Sequence, residues 1–532
     1  MRVGDTHAQD EIARLSRALT GLRQHDIADL GARTRDDQAQ QSGTERADEV
    51  TEGDHSRTLV RGTTTSLRMM RIVQHPLCPW HKHHGGHERI TTKTATARPL
   101  RIDTVAVETE GSAMRFSSPG PARVAVVGAG MVGLSTAWFL QELGATVTVL
   151  ERADVAAGSS WGNAGWITPG LATPLPEPAV LRYGLRAVLS PSSPVYVPLS
   201  SDSQLLRFLA GFARHSTTAR WKRAMRSLVP INRLALSSFD ALSEGGVAAE
   251  TVPAGSFLAA YGSTQERKVL LDELEHIRSS GQGIEFDVLG GDEAREIEPA
   301  LSAKVGAALR LHGQRYVDPG AFVHALAAAV RARGGEVRIG AEVTEVSDDS
   351  RGVRVRTADG RVDHVASVVL ANGVWLRRLG HRFGVRSLIQ AGRGYSFSVP
   401  MERVPSAPVY FPAQRVACTP LEGQRLRVAG MMEFRSPEAP LDARRINALV
   451  EAARPLLDGA DLDLRKDEWV GSRPCTPDGL PLIGATRSPR VFAAGGHGMW
   501  GITLGPATGR LLAEQVVTGR RPAELGPFDP LR

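Results

Sequence analysis

One segment of about thirty residues constrains this chain more than any other, because apolar runs and glycines follow one another there in a fixed order. The β-branched run Val124–Val127 is typical of a buried parallel strand, and a G-x-G-x-x-G pattern follows it at once. A helical apolar segment comes next, and then a second strand that ends at Glu151. This order of strand, glycine turn, helix, strand and acid predicts a dinucleotide-binding unit. The alternative is a glycine-rich turn in an unrelated α/β protein.

Each residue of the pattern has a physical role. The three glycines Gly128, Gly130 and Gly133 suit a tight turn, a close approach of backbone to a pyrophosphate, and close packing of helix against strand. The helix N-terminus offers free N–H groups and the positive end of a dipole to the phosphates. Glu151 can accept hydrogen bonds from both ribose hydroxyls of an adenosine.

A second glycine-rich turn lies near the end of the chain. The strand Val491–Ala494 leads into GGHGMWG and then into a helical segment. This repeats the first arrangement, so it predicts a second helix N-terminus that points at a ligand.

Composition and charge argue against several classes of protein. The net charge is +7, but no basic run or basic–aromatic pattern accompanies it, so we expect no nucleic-acid partner. Three cysteines at unrelated spacings argue against a disulfide framework and a cysteine-based zinc site. No apolar run approaches a membrane span, and the N-terminus lacks the apolar core of a secretory signal. These features favour a cytoplasmic protein, with peripheral contact at the inner face of the plasma membrane left open.

Residues 1–113 differ from the rest of the chain. They are polar and weakly periodic, which predicts a disordered leader or upstream extension. Met114 lies close enough to the first strand to serve as an alternative start, and we expect the leader to be dispensable. The leader holds a group of possible metal ligands, but prolines interrupt it and no carboxylate or second cysteine completes a set, so we expect no metal site. That group is His75, Cys78, His81, His83, His84 and His87.

Over residues 122–525 the chain resembles the D-amino acid oxidase superfamily of flavoproteins and, within it, the bacterial D-amino acid dehydrogenases. Seven segments carry the resemblance in the family's order: GAGMVGLSTA with Glu151, SWGNAGWITPG, YVDPGAF, VVLANGVW, GRGYSFSV, GSRPCTPDGLPLIGATR and GGHGMWGITLGPATGRLLAE. The resemblance implies an α/β fold, in which a Rossmann-type FAD domain is interleaved with an α+β substrate domain on a mainly antiparallel sheet. The FAD domain is then expected at 114–170, 315–385 and 471–532, and the substrate domain at 171–314 and 386–470.

The resemblance also implies how non-covalent FAD is held. Gly128, Gly130, Gly133 and Glu151 are expected at the ADP half, with Val343, Ala371 and Gly373 at the adenine end. Ser160, Asn163 and Ala164 are expected beside the ribityl chain and the flavin ring. Backbone N–H groups of Gly496, Gly498, Gly501, Ile502 and Thr503 are expected at the N1/C2=O edge of the flavin, where reduced flavin carries negative charge.

Three further residues are candidates for contact with the substrate. The resemblance aligns Arg473 with the family's carboxylate-binding arginine. An arginine suits that role since a planar guanidinium fits a carboxylate bidentately. The alternative is a surface ion pair. Tyr395 either adds a hydroxyl to the same carboxylate or is a packed core tyrosine. His497 is expected to shape the turn beside the flavin rather than to act as an acid or base. Cys475 raises the thought of a covalent flavin, but the dehydrogenases carry no linking cysteine there.

The function that the resemblance implies is FAD-dependent oxidation of D-amino acids. Hydride would pass from Cα to flavin N5, and the imine would hydrolyse to a 2-oxo acid and ammonia. One alternative is an enzyme for secondary amines, similar to sarcosine oxidase, glycine oxidase or D-hydroxyproline dehydrogenase. Another is a flavin-carrying electron-transfer subunit of a complex. The partner is a small-molecule amino acid, and the electron acceptor is left open between oxygen, a quinone and a carrier.

Overall fold

The computed structural model of the protein describes residues 122–177, 193–198 and 202–532. The expectations for residues 1–113, for Met114 as a start and for the histidine group of the leader lie outside these residues. Within the described parts of the chain, none of the helices is both long and apolar enough to cross a membrane.

The described strands and helices alternate along most of the chain. The strands are β1 (Arg123–Val127), β2 (Thr146–Leu150), β3 (Trp166–Ile167), β4 (Val195–Tyr196), β5 (Val252–Pro253), β6 (Phe257–Tyr261), β7 (Phe286–Gly290), β8 (Ala307–Leu311), β9 (Arg315–Tyr316), β10 (Glu336–Arg338), β11 (Val343–Asp349), β12 (Gly352–Thr357), β13 (Val362–Val365), β14 (Ser367–Leu370), β15 (Gln390–Pro400), β16 (Val409–Phe411), β17 (Val416–Leu421), β18 (Arg425–Phe434), β19 (Lys466–Cys475), β20 (Leu482–Ala485) and β21 (Val491–Gly495). The α-helices are α1 (Met131–Glu142), α2 (Ser203–His215), α3 (Thr218–Arg233), α4 (Ala235–Glu244), α5 (Thr264–Ser279), α6 (Gly291–Ile297), α7 (Pro319–Ala332), α8 (Leu376–Gly380), α9 (Ala443–Ala453) and α10 (Gly501–Thr518).

A six-stranded sheet has the order β10-β2-β1-β14-β21-β20. The two glycine-rich turns follow its strands β1 and β21. Its strand pairs are parallel except for β20, which pairs antiparallel with β21. Because β1 lies between β2 and β14, the turn after β1 lies at the middle of the carboxyl edge, where open α/β sheets bind ligands. The sheet draws its strands from three separated parts of the chain.

Helices α1 and α10 pack against each other on one face of this sheet. Glycines on α10 allow the close approach, since a Cβ at Gly509 would lie 2.6 Å from the carbonyl carbon of Ser135. A Cβ at Gly505 would lie 2.6 Å from Cγ of Met131. On the opposite face, a small antiparallel sheet of β11, β12 and β13 closes a second apolar cluster. The two helices that follow the glycine turns are therefore held side by side.

The second large sheet is mainly antiparallel and has the order β19-β15-β18-β17-β16-β6-β8-β7, with β4 beside β18. One of its faces packs on α9 in a large apolar core. The other face packs on α2, α3 and α5. The fold class predicted from the sequence, a Rossmann-type α/β unit with a mainly antiparallel second sheet, is confirmed. The domain boundaries given above stay a prediction.

One predicted strand divides into two. The segment 364–370 reads as a single buried strand in the sequence, but the chain leaves the small sheet after Val365 and enters the parallel sheet at Ser367. Ala366 lies between them, and its N–H donates to the carbonyl oxygen of Arg123 at 2.8 Å. Because buried valines occur on both sides of Ala366, hydrophobicity alone does not mark the point where the chain changes sheets.

Candidate cofactor and substrate site

A cavity of about 370 Å³ lies where the two glycine-rich turns meet at the carboxyl edge of the parallel sheet. Most of the residues expected at the cofactor or substrate line it: Gly128, Gly130, Glu151, Ser160, Asn163, Val343, Ala371, Gly373, Arg473, His497, Gly498, Gly501 and Ile502. The other expected residues, which are Gly133, Ala164, Tyr395, Gly496 and Thr503, lie outside the lining.

The first glycine turn is built so tightly that side chains would not fit. Gly128 has a φ of +110°, and a Cβ there would lie 2.6 Å from the carbonyl oxygen of Ala371. A Cβ at Gly133 would lie only 2.0 Å from the carbonyl oxygen of Gly128. Gly133 therefore packs the helix on the turn from behind the cavity, while Gly128 and Gly130 form part of its wall.

The carboxylate of Glu151 is fixed at the end of β2. One oxygen accepts the N–H of Ala129 at 2.8 Å, and the other accepts the N–H of Ala153 at 3.0 Å. An ionised carboxylate has about four lone-pair sites, so acceptor capacity remains for two hydroxyl donors. The position and orientation of Glu151 fit the ribose of an adenosine.

The loop after Glu151 contacts both α1 and the large antiparallel sheet beside the cavity. Ser160 Oγ accepts the N–H of Met131 at 3.2 Å, at the N-terminus of α1. Asn163 Oδ1 accepts the N–H of Gly165 at 3.0 Å. The carbonyl oxygen of Ala164 accepts the hydroxyl of Thr419 at 2.7 Å. Ala164 is thus turned toward the second sheet, whereas Ser160 and Asn163 face the cavity.

The far end of the cavity contains side chains that the sequence did not single out. Asn372 lines it with a buried Oδ1 that has no partner in the described part of the chain. Trp375 donates from Nε1 to Glu438 at 2.8 Å, and the guanidinium of Arg152 lies 3.7 Å from the centre of its ring. An unpartnered buried acceptor beside a fixed aromatic ring fits a ligand that carries donors and a flat base. Asn372 and Trp375 belong to the VVLANGVW segment, so the resemblance of that segment to the family could have identified them.

The second glycine turn directs α10 at the same cavity. Gly496 and Gly498 have φ values of +76° and +54°, and the helix begins at Gly501. Thr503 lies behind the lining, where its hydroxyl donates to the carbonyl oxygen of Trp166 at 2.9 Å. The eighteen-residue helix therefore points free N–H groups and the positive end of its dipole into the cavity.

Arg473 brings a half-buried positive charge to the cavity wall. Its guanidinium lies over Gly394, where a Cβ would be 2.3 Å from Cζ, and its Nη1 donates to the carbonyl oxygen of Met431 at 2.8 Å. Burial lowers the pKa of Arg473 from its usual value. Among the described side chains, no carboxylate forms an ion pair with Arg473. A desolvated guanidinium of this kind gains most from an anion that enters the cavity.

Tyr395 points to the other face of the sheet. Its side chain is fully buried, and its hydroxyl donates to Glu433 at 2.6 Å. Arg393 also contacts Glu433, at 3.2 Å. Burial, and then the hydrogen bond to Glu433, raise the pKa of Tyr395. The structure therefore brings Arg473 to the cavity but not Tyr395, and this geometry agrees with the core alternative for the tyrosine.

His497 lines the cavity as a buried, neutral side chain. Its Nε2 lies 2.9 Å from the hydroxyl of Thr508 on α10. Burial lowers the pKa of His497 to about 4. At neutral pH the ring is uncharged and holds the second glycine turn against the helix.

Cys475 lies on the same face of β19 as Arg473 but is not among the described residues that line the cavity. The buried sulfur lies against Gly392, where a Cβ would be 2.8 Å from it. Burial raises the pKa of the Cys475 thiol to about 12. A protonated thiol outside the lining is poorly placed for a bond to flavin.

Comparisons of sequence identify the family of the chain. Residues 123–515 match the family model described as DAO, FAD dependent oxidoreductase. The chain is 31% identical over 428 residues to a D-amino acid dehydrogenase of Cereibacter sphaeroides, a match that covers 76% of this chain and 94% of that protein. It is 29% identical over 412 residues to a D-amino acid dehydrogenase of Xylella fastidiosa, covering 76% and 93%.

Solved structures share the fold at lower identity. A glycine oxidase from Geobacillus kaustophilus superposes with a TM-score of 0.59 at 24% identity and covers 77% of this chain and 99% of its own. An L-proline dehydrogenase from P. horikoshii has a TM-score of 0.54 at 19% identity, covering 78% and 98%. These likenesses concern the fold alone.

Proposed function

Because this chain belongs to the DAO family of FAD-dependent oxidoreductases, we propose that it oxidises D-amino acids to 2-oxo acids and ammonia. The family establishes FAD as the cofactor and an oxidoreductase that acts on a CH–NH2 group. The choice of D-amino acids rests on the similarity to two D-amino acid dehydrogenases. The observation that carries the proposal is Arg473, a half-buried guanidinium at the cavity wall that has no carboxylate partner among the described residues.

The residues of the cavity fit FAD from one end to the other. In the proposed arrangement Glu151 accepts the ribose hydroxyls, and the turn of Gly128 and Gly130 approaches the pyrophosphate at the N-terminus of α1. The N–H groups at the start of α10 approach the flavin edge where negative charge develops on reduction. Bound FAD supplies the two-electron oxidation of the Cα–N bond. The remaining contributions come from the protein's own side chains.

The protein's part in the reaction is to bind and orient the substrate. Arg473 holds the substrate carboxylate in two parallel hydrogen bonds, which fixes the direction in which Cα points. The substrate amine enters uncharged, so it needs no side-chain base, and His497 is neutral and bonded to Thr508. Loss of hydride from Cα of the neutral amine leaves an iminium ion, and water then converts the iminium to a 2-oxo acid and ammonia, which is released as ammonium.

Two other functions give different expectations. An enzyme for secondary amines would prefer sarcosine, glycine or D-hydroxyproline. An electron-carrier subunit would turn over none of these alone, and it would not need a carboxylate clamp such as Arg473. The charged clamp therefore favours a substrate-binding enzyme.

Steady-state assays test the proposal directly. The purified protein is given D- and L-amino acids, glycine, sarcosine and D-hydroxyproline, each with oxygen, a quinone or a redox dye as acceptor. We expect turnover with D-amino acids and little with the L-enantiomers. Turnover of secondary amines alone, or of no amine, would replace the proposal by one of the two alternatives.

A further inference from the structure

A second cavity, of about 670 Å³, lies between the large sheet and helices α3 and α5. None of the described residues lines both this cavity and the cofactor cavity. The described part of its wall includes charged or titratable side chains and two tyrosines: Glu177, Glu266, Asp272, Glu273, His276 and Arg415, with Tyr261 and Tyr410. The proposed reaction at the first cavity makes no use of these groups.

The second cavity opens on the same face of the large sheet as Arg473. Along β16, Val409 and Phe411 point into the core under α9, so Tyr410 points to the opposite face. There the ring of Tyr410 packs on Trp166, with ring centres 5.3 Å apart. Trp166 in turn donates to Thr419 at 2.8 Å, beside the loop that borders the cofactor cavity.

Arg473 contacts the strand beside the one that begins at the second cavity. Its Nη1 reaches across the sheet to the carbonyl oxygen of Met431 on β18. Strand β17 pairs with β18, and Arg415, which lines the second cavity, directly precedes β17. The positive charge of Arg473 and the wall of the second cavity therefore belong to neighbouring strands of one sheet.

The wall of the second cavity carries more negative than positive groups. Burial and then repulsion by Glu177 raise the pKa of Glu273 to about 8, although Arg415 opposes the change. Burial likewise raises the pKa of Glu177. Arg415 is shared with Tyr410, to which it is hydrogen-bonded. Burial and mutual repulsion therefore favour the protonated form of this pair, and a further cation in the cavity would favour loss of the proton.

A buried tyrosine hydroxyl in the same wall has no hydrogen-bond partner among the described residues. Tyr261 is 2% exposed, and its hydroxyl has no hydrogen-bond partner within the described residues. The hydroxyl of Tyr261 is buried at the cavity, where a bound donor would satisfy it. Tyr261 is independent of the glutamates, and it too indicates a ligand that carries N–H donors.

We propose that the second cavity receives the positively charged end of the substrate side chain, so that the enzyme prefers D-amino acids with an ammonium or guanidinium group. This inference rests on the proposed function, which places the substrate carboxylate at Arg473. Glu273 and Glu177 then hold the cation, and the Tyr261 hydroxyl accepts one of its N–H groups. The substrate is held at both ends, and its Cα lies between them at the cofactor cavity.

Kinetics of the holoenzyme give the first test. D-lysine is compared with D-norleucine, which has the same four-carbon stem without the charge, and D-alanine reports the reaction without a side-chain contact. We expect D-lysine to exceed D-norleucine in kcat/KM by about 10-fold or more, because a charge-assisted pair is lost in D-norleucine. Glu273→Gln should abolish this preference while D-alanine oxidation stays unchanged. Glu275→Gln, an exposed position on the same helix, is the matched control.

A binding measurement separates this inference from the proposed function. The probe is 6-aminohexanoate, which has the carboxylate and the terminal ammonium of lysine but no α-amine to oxidise; hexanoate is the neutral-ended control. Calorimetry at pH 7 in buffers of different ionisation enthalpy should show release of a proton on binding of 6-aminohexanoate. Hexanoate, and the Glu273→Gln variant, should show none.

The two measurements leave four distinct results. Preference for D-lysine with proton release supports both conclusions. Proton release without oxidation of any D-amino acid overturns the proposed function and keeps the cation site. Oxidation of D-alanine with equal kcat/KM for D-lysine and D-norleucine, and equal binding of the two probes, overturns the cation site and keeps the proposed function. Absence of both signals overturns both.

Discussion

The guanidinium of Arg473 occupies the space that a side chain at Gly394 would fill. The two residues lie on the neighbouring strands β19 and β15, and a Cβ at Gly394 would come within 2.2 Å of Nη2. An arginine at one position thus requires a glycine at the other, and this pair sets the height of the positive charge above the sheet.

Gly394→Ala tests this relationship. The added methyl group should displace the guanidinium and lower kcat/KM for the amino acid by about 10-fold or more, mainly through KM, since binding of the carboxylate weakens. FAD content, measured from the absorption spectrum, should stay near that of the wild type. Gly255→Ala is the control, because Gly255 has open space around its Cα. Equal losses in both variants would argue against a specific role of Gly394.

Arg473→Met removes the charge and keeps much of the volume. Loss of a charge-assisted pair costs on the order of 2–5 kcal/mol, so kcat/KM should fall by about 30-fold or more. Arg473→Lys should recover only part of the loss, because an ammonium cannot form the two parallel bonds. Arg520→Met, at an exposed arginine, should behave like the wild type. Unchanged kinetics in Arg473→Met would show that the carboxylate is bound elsewhere.

His497 gives a prediction on stability and pH. Burial lowers the pKa of His497 from 6.5 to about 4. Between these two pH values His497 is protonated in the unfolded chain but not in the folded protein. The contribution of neutral His497 to the free energy of unfolding is therefore complete above pH 6.5 and is lost as the pH falls toward 4. At pH 5 the loss is on the order of 2 kcal/mol.

Urea unfolding at pH 7.5 and pH 5 measures this effect. The free energy of unfolding should decrease more for the wild type than for His497→Gln, which keeps a hydrogen bond to Thr508 but does not titrate. Equal decreases would mean that His497 is protonated in the folded protein.

The flavin should be released by acid. The sulfur of Cys475 lies against Gly392, outside the described lining of the cavity, and the raised pKa keeps its thiol protonated. Precipitation with acid should leave FAD in the supernatant, both for the wild type and for Cys475→Ser. Flavin that stays in the wild-type pellet and leaves it in Cys475→Ser would establish a thioether that this geometry disfavours.

The sequence was informative where the structure is local. The first glycine turn, α1 and Glu151 are complete within thirty residues, so spacing alone predicts their arrangement. The wall that Trp375 and Glu438 form is different, because the two residues are 63 positions apart. No pattern in the sequence predicts the contact between Trp375 and Glu438.

Tyr395 illustrates a second limit of sequence patterns. Strand β15 is buried on both faces almost throughout, so apolar–polar alternation does not reveal which side chains look toward the cavity. Its neighbour Arg393 is as deeply buried and is paired with Glu433. Pro230 is a further example, because proline is disfavoured inside helices, yet Pro230 lies inside α3 and the chain turns only at Leu234. Packing against neighbouring elements outweighs the local preference there.

The parallel sheet also determines when this protein becomes able to hold its cofactor during synthesis. The pair β1 and β2 is available early on the ribosome, but β14 follows some two hundred residues later, and β21 with α10 comes last. Until α10 has left the exit tunnel, the nascent chain presents half of a nucleotide cleft, with the apolar side of α1 uncovered. Pairing between such distant parts of a chain is slow, and apolar surface that is exposed in the meantime is prone to aggregation.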